Sequence, residues 1–95
     1  MLNSLRDKCY NNSKSKGFHD PRREIGTGLM LITSELAEAL EADRHGMPAL
    51  FREEIADVFI RLFDFCGEHS IDIDHEVARK MAINEKRSHK HGKQY

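Results

Sequence analysis

Two long stretches of this chain repeat apolar residues every three or four positions, and that period limits what the chain can fold into more than any other feature. Ile25, Leu29, Ile32, Leu36 and Leu40 mark the first stretch; Phe51, Ile55, Val58, Phe59, Leu62 and Cys66 mark the second. This spacing aligns side chains on one face of an α-helix. No segment alternates apolar and polar residues long enough to argue for a strand. Between the stretches stand Gly46 and Pro48, a glycine suited to closing one helix and a proline suited to opening the next. Helices joined by so short a turn pack antiparallel.

The remaining punctuation completes the layout. Asp20-Pro21 reads as a capping residue followed by proline at the first helical position, and Asp72 as an N-cap. Helices are predicted over roughly residues 2–15, 21–45, 48–68 and 72–88, followed by a polar, basic and frayed tail over 88–95. The expected fold is all-α, a bundle of about four helices in a single domain covering 1–95. On the second helix Met30, Leu31, Ala37, Ala39 and Ala42 cover much of the circumference left by the main stripe. A helix apolar on most sides is buried by more than one neighbour. With only 95 residues to supply those neighbours, a partner subunit is expected.

Charged residues make up 33% of the sequence, yet the net charge is only −1. That balance argues against binding a nucleic acid polymer through bulk charge, but not against a small anion held locally. The longest apolar run, Leu29 to Ile32, is too short to span a membrane, and MLNSLRDKCY has no signal-peptide hydrophobic segment. A cytoplasmic location is expected. Cys9 and Cys66 fall inside helical patterns, as free thiols do in a reducing compartment.

The chemistry-bearing residues lie on the two long helices. Glu35 and Glu38 are three apart, as are Glu54 and Asp57, so each pair shares a helix face, and antiparallel packing can set the pairs opposite one another. Glu41 extends the acidic row. The positions four residues on hold Ala39, Ala42 and Val58 for Glu35, Glu38 and Glu54; only Asp57 has a basic residue there, Arg61. Acids without local counter-charge at the edge of an apolar face call for a cation. An all-oxygen set favours magnesium or manganese, and the lack of Glu-x-x-His pairs disfavours a di-iron centre. Magnesium usually binds together with substrate phosphates. The same acids also read as an ordinary solvated face.

On the last helix Lys80, Asn84 and Arg87 continue the line of Ile73 and Val77, which is expected to face inward, so their polar ends would meet a phosphate beside a metal. The plainer alternative is favourable charge near a helix C-terminus, with Lys80 paired to Glu76. His45, His69, His75, His89 and His91 have no ligand spacing with the cysteines and read as surface or capping residues. Gly26 and Gly28 fall within a helical pattern and make no phosphate loop.

Glu35-x-x-Glu38, fifteen intervening residues, then Glu54-x-x-Asp57 resembles the signature of the MazG-like all-alpha nucleoside triphosphate pyrophosphohydrolases. Lys80-Met81-Ala82-Ile83-Asn84-Glu85-Lys86-Arg87 is similar to that family's last-helix pattern, and Lys16-Gly17-Phe18 to its short motif before the first signature helix. His19 departs from it, since many relatives carry Trp after Gly-Phe. The resemblance spans about residues 16–93. It implies magnesium-dependent hydrolysis of (deoxy)nucleoside triphosphates to the monophosphate and pyrophosphate, in housecleaning or dNTP pool control, by a homodimer or homotetramer. By matching position, Glu35, Glu38, Glu54 and Asp57 would hold metal, Lys80, Asn84 and Arg87 would contact the substrate, and Phe18 would stack on the base. Glu38, expected to lie deepest in the acidic row, is the candidate general base, with Glu35 beside it. The alternatives are a non-catalytic helical oligomer that binds nucleotide or metal as a regulator, and a plain interaction module with solvated acids.

Overall fold

The computed structural model describes residues 1–87, and among these it holds four α-helices and no strand: α1 Leu2–Ser15, α2 Ile25–Arg44, α3 Pro48–Glu68 and α4 Ile73–Glu85. The expected all-α fold is observed. The tail over 88–95, with His89 and His91, lies outside the described residues. No helix among the described residues is long and apolar enough to cross a membrane. Cys9 and Cys66 are both free thiols.

Most boundaries follow from the punctuation. Gly46 adopts φ +64° just past α2, and Pro48 opens α3 behind Met47. Asp72 caps α4 by accepting a hydrogen bond from the His75 backbone N–H. The start of α2 differs from expectation. The Asp20-Pro21 peptide is cis, and α2 begins only at Ile25. Arg22 and Arg23, which would have formed the first turn, are engaged elsewhere. Arg23 donates to the Phe18 carbonyl and reaches Asp64, while the Arg22 guanidinium lies near Glu68. Asp64 and Glu68 have almost fully buried side chains. Leaving such acids without counter-charge costs more than forgoing one turn of helix whose N–H groups lack intrahelical partners anyway.

α3 is the central element. It packs along α2 on one side and α1 on the other, while α4 packs chiefly on α1. Glu35 of α2 meets Arg61 of α3, and Glu38 lies near Glu54, so the two helices run antiparallel. Two close approaches fix the spacing. A Cβ on Gly28 would come within 2.8 Å of the Phe65 ring, and one on Gly67 within 2.4 Å of the Tyr10 Cβ.

The face of α2 turned toward α3 corrects the sequence reading. Gly28, Glu35, Ala39 and Ala42 are the buried residues, whereas Ile25, Leu29, Leu36 and Leu40 of the expected core stripe are exposed. Small side chains let the two backbones approach closely, and the bulky stripe, rotated by about one residue or 100°, points outward. On α3, Cys66 is buried and Ile55 and Val58 are half-buried, but Phe59 and Leu62 are exposed. Among the described residues no large side chain is fully buried.

The outer helix is held by reciprocal capping rather than by an apolar seam. Asp74 accepts hydrogen bonds from the Leu2 and Asn3 backbone N–H groups at the start of α1. Asn3 in turn accepts one from the Ile73 N–H at the start of α4 and donates to Asp72. Each helix supplies the other's unsatisfied N-terminal donors with an acceptor. These bonds hold the Asp72 and Asp74 carboxyls below the ordinary aspartate range. Val77 is exposed, contrary to the inward-facing expectation, because α4 packs chiefly on α1.

Candidate metal centre

The seam between α2 and α3 carries the acids. Glu35 stands among the small residues of α2 and is buried, Glu54 of α3 is half-buried opposite, and Glu38 is exposed one turn along α2. One carboxylate oxygen from each lies within 4.8 Å of the others. Glu35 Oε2 and Glu54 Oε2 are buried without a hydrogen-bond partner. An unsatisfied buried carboxylate oxygen is costly, and two of them on carboxylates of one cluster are what a shared cation would satisfy. Three oxygen donors fit a hard divalent ion such as magnesium or manganese.

The electrostatics point the same way. Loss of hydration pushes the Glu54 carboxyl up to about 7, reinforced by the hydrogen-bonding and charge of Glu38, then by Glu35 and the charge of Asp57. Glu35 moves in the opposite direction. A hydrogen bond from Arg61, Nε to Oε1 at 2.9 Å, holds it below the usual carboxylate range against the effect of its burial. In the cation-free cluster Glu35 is therefore the fixed anion, and Glu54 holds a proton over much of the neutral range.

Asp57 lies beside the cluster rather than within it. With Glu35 and Arg61 it lines a cavity of about 340 Å³ whose other walls include Phe18 and Ser13. Phe18 is exposed at its mouth. The structure thus brings Glu35, Glu38, Glu54, Asp57 and Phe18 into one region. Glu38 is not the deepest acid, because the seam tightens around Glu35 instead. Lys80, Asn84 and Arg87 are not brought there: Lys80 and Asn84 are exposed on α4, which packs chiefly on α1, and Arg87 is exposed two residues past its end.

Two polar contacts along α3 are not evident from the sequence pattern. Arg61 was placed with Asp57 on its own helix, whereas its hydrogen bond crosses to Glu35. His19 is buried, with Nε2 2.7 Å from Asp64 and Nδ1 3.0 Å from Glu68. The second contact falls short of hydrogen-bond geometry. Glu54, Asp57, Arg61, Asp64 and Glu68 follow one another at spacings of three and four, so a continuous polar row runs along α3. That row was the available signal, and it extends well past Asp57.

A protein named dATP/dGTP diphosphohydrolase from Salmonella phage PMBT28 is 43% identical over 67 residues, covering 70% of this chain and 21% of that protein. The chain therefore spans about one fifth of the length of that relative. No family model matches the chain. No solved structure matches it significantly.

Proposed function

We propose that this chain is a divalent-metal-dependent hydrolase that converts (deoxy)nucleoside triphosphates to monophosphate and pyrophosphate at the α2–α3 seam. The observation that carries this reading is the meeting of Glu35, Glu38 and Glu54, with two buried carboxylate oxygens left without partners. The resemblance to the MazG-like pyrophosphohydrolases supports the reaction. So does the similarity to a phage protein named for dATP and dGTP.

Glu35, Glu38, Glu54 and Asp57 are the proposed ligands. A bound magnesium ion would supply a Lewis acid for the phosphates and an activated water. Glu38, exposed and without a salt-bridge partner among the described residues, would serve as the general base, while Glu35 is held ionised by Arg61. Phe18, exposed at the cavity beside Asp57, is placed to cover a base.

The chain is proposed to act as a homodimer or homotetramer. Ile25, Leu29, Leu36 and Leu40 form an exposed apolar stripe on α2, with Phe59 and Leu62 exposed on α3. Contiguous exposed apolar surface of this kind marks an interaction site. A second copy covering it can also bring its Lys80, Asn84 and Arg87 side chains to acids that these residues do not meet within their own chain.

The test uses purified protein, a dNTP panel and magnesium, with wild type compared to Glu38→Gln/Glu54→Gln. Magnesium-dependent pyrophosphate release that the double variant lacks is expected. Release unaffected by the double variant contradicts the reading. Stabilisation by magnesium and nucleotide with no product would favour the regulatory alternative.

A further inference from the structure

Arg61 is a cation already resident in the acidic site. Its Nε donates to Glu35 Oε1 at 2.9 Å, and about two-thirds of its side chain is buried. Among the described residues its terminal nitrogens make no hydrogen bond with the chain. An arginine offers five N–H donors in a planar fork, which matches a phosphate as well as a carboxylate. Arg61 also lines the cavity that Asp57, Phe18 and Ser13 border. Among the described residues Arg61 is the cation in salt-bridge contact with the proposed ligands, because α4 packs chiefly on α1.

Resting on the functional reading above, we propose that Arg61 is a positioning residue with two successive partners: Glu35 before a divalent cation binds, and the nucleotide's phosphates afterwards. The first setting follows from the contact itself. Glu35 Oε2 is buried and unpartnered, and the Arg61 bond to Oε1 holds the carboxylate in the seam, where one of its oxygens lies within 4.8 Å of Glu54 and Glu38. The second follows from charge. Once Glu35 is shared with a divalent ion, the guanidinium loses much of its attraction to that carboxylate, and a polyanion in the adjoining cavity becomes its best partner. Arg61 then opposes the cation when the cation binds alone, and favours it when it arrives with a triphosphate. The two effects have opposite signs, which a purely structural arginine would not produce.

The test is calorimetric titration at pH 8 on wild type, Arg61→Gln and Arg61→Lys. Circular dichroism melts confirm that each variant is folded, and Arg61→Lys keeps the charge should Arg61→Gln fail to fold. The probes are Mn²⁺ alone, then a non-hydrolysable dATP analogue in the presence of Mg²⁺. Arg61→Gln is expected to bind Mn²⁺ more tightly and the analogue more weakly, each by about tenfold, the scale of one hydrogen bond to a charged group. Arg61→Lys is expected to keep the wild-type Mn²⁺ affinity within about threefold, while weakening the analogue because the planar fork is gone. Arg61→Gln that weakens both probes, or leaves both unchanged, overturns this role while leaving the metal site standing. Wild-type protein that binds no Mn²⁺ overturns the functional reading and this proposal with it.

Discussion

Glu54 and Glu35 occupy one cluster yet are displaced in opposite directions, because burial dominates at the first and an arginine outweighs burial at the second. Loss of hydration, and then the two glutamates it faces, push Glu54 up to about 7, while a hydrogen bond from Arg61 holds Glu35 below the ordinary range. A carboxyl whose folded-state value is raised binds more protons in the folded than in the unfolded chain between the two values. The Glu54 contribution to stability is therefore complete below the ordinary glutamate value, about 4.3, and is lost as pH rises through about 7. Metal-free protein should show this loss in denaturant melts, and Glu54→Gln should remove it. A divalent ion must displace the same proton, so Mg²⁺ affinity should rise as pH passes from 6 to 8, with proton release visible in buffers of different ionisation enthalpy. Affinity independent of pH would contradict the assignment of Glu54 as a ligand. The spacing of acids on two helices made Glu35, Glu38 and Glu54 legible as a group. It could not show that Arg61 turns to Glu35 rather than Asp57, because that choice depends on the rotation of α2 against α3. His19 was hidden for a similar reason: its partners, Asp64 and Glu68, lie far along the chain and meet it only once the loop before α2 folds onto α3.

Among the helices, boundaries set by local chemistry were readable and contacts set by docking were not. Gly46, Pro48 and Asp72 each do locally what their residue type favours. The start of α2 was not readable, because buried acids on α3 claim Arg22 and Arg23. The position of α4 was not readable either, since reciprocal caps rather than an apolar stripe hold it. Asn3→Ala should loosen α4 and cost about 1 kcal/mol, the usual scale for a lost cap. Urea melts check the cost, and Mg²⁺ affinity should be unchanged in that variant. Gly67→Ala belongs to the α1–α3 contact. The new methyl meets the Tyr10 Cβ, which sits close to the α1 backbone and cannot simply swing away. A loss of about 1–3 kcal/mol is expected from this overpacking, read as a lower urea midpoint at unchanged slope.

As a whole, the molecule reserves its smallest side chains for the α2–α3 seam and leaves much of its bulky apolar surface outside. Glu35 reaches the cluster because Gly28, Ala39 and Ala42 let the helices come close, and the same choice turns Leu36 and Leu40 outward. The sequence showed a helix apolar on most sides and hence a partner, but it did not show which side the partner takes. Wild-type protein is expected to sediment as more than one chain, and Leu36→Lys/Leu40→Lys to shift toward the single chain with loss of turnover. A wild-type protein that sediments as one chain yet turns over would show that the Lys80, Asn84 and Arg87 stripe need not come from a second copy. The most direct test of the central claim is phosphorus NMR of dATP incubated with the protein and magnesium. Paired growth of dAMP and pyrophosphate signals is predicted, abolished in Glu38→Gln/Glu54→Gln. Formation of dADP and orthophosphate, or equal product from the double variant, would contradict it.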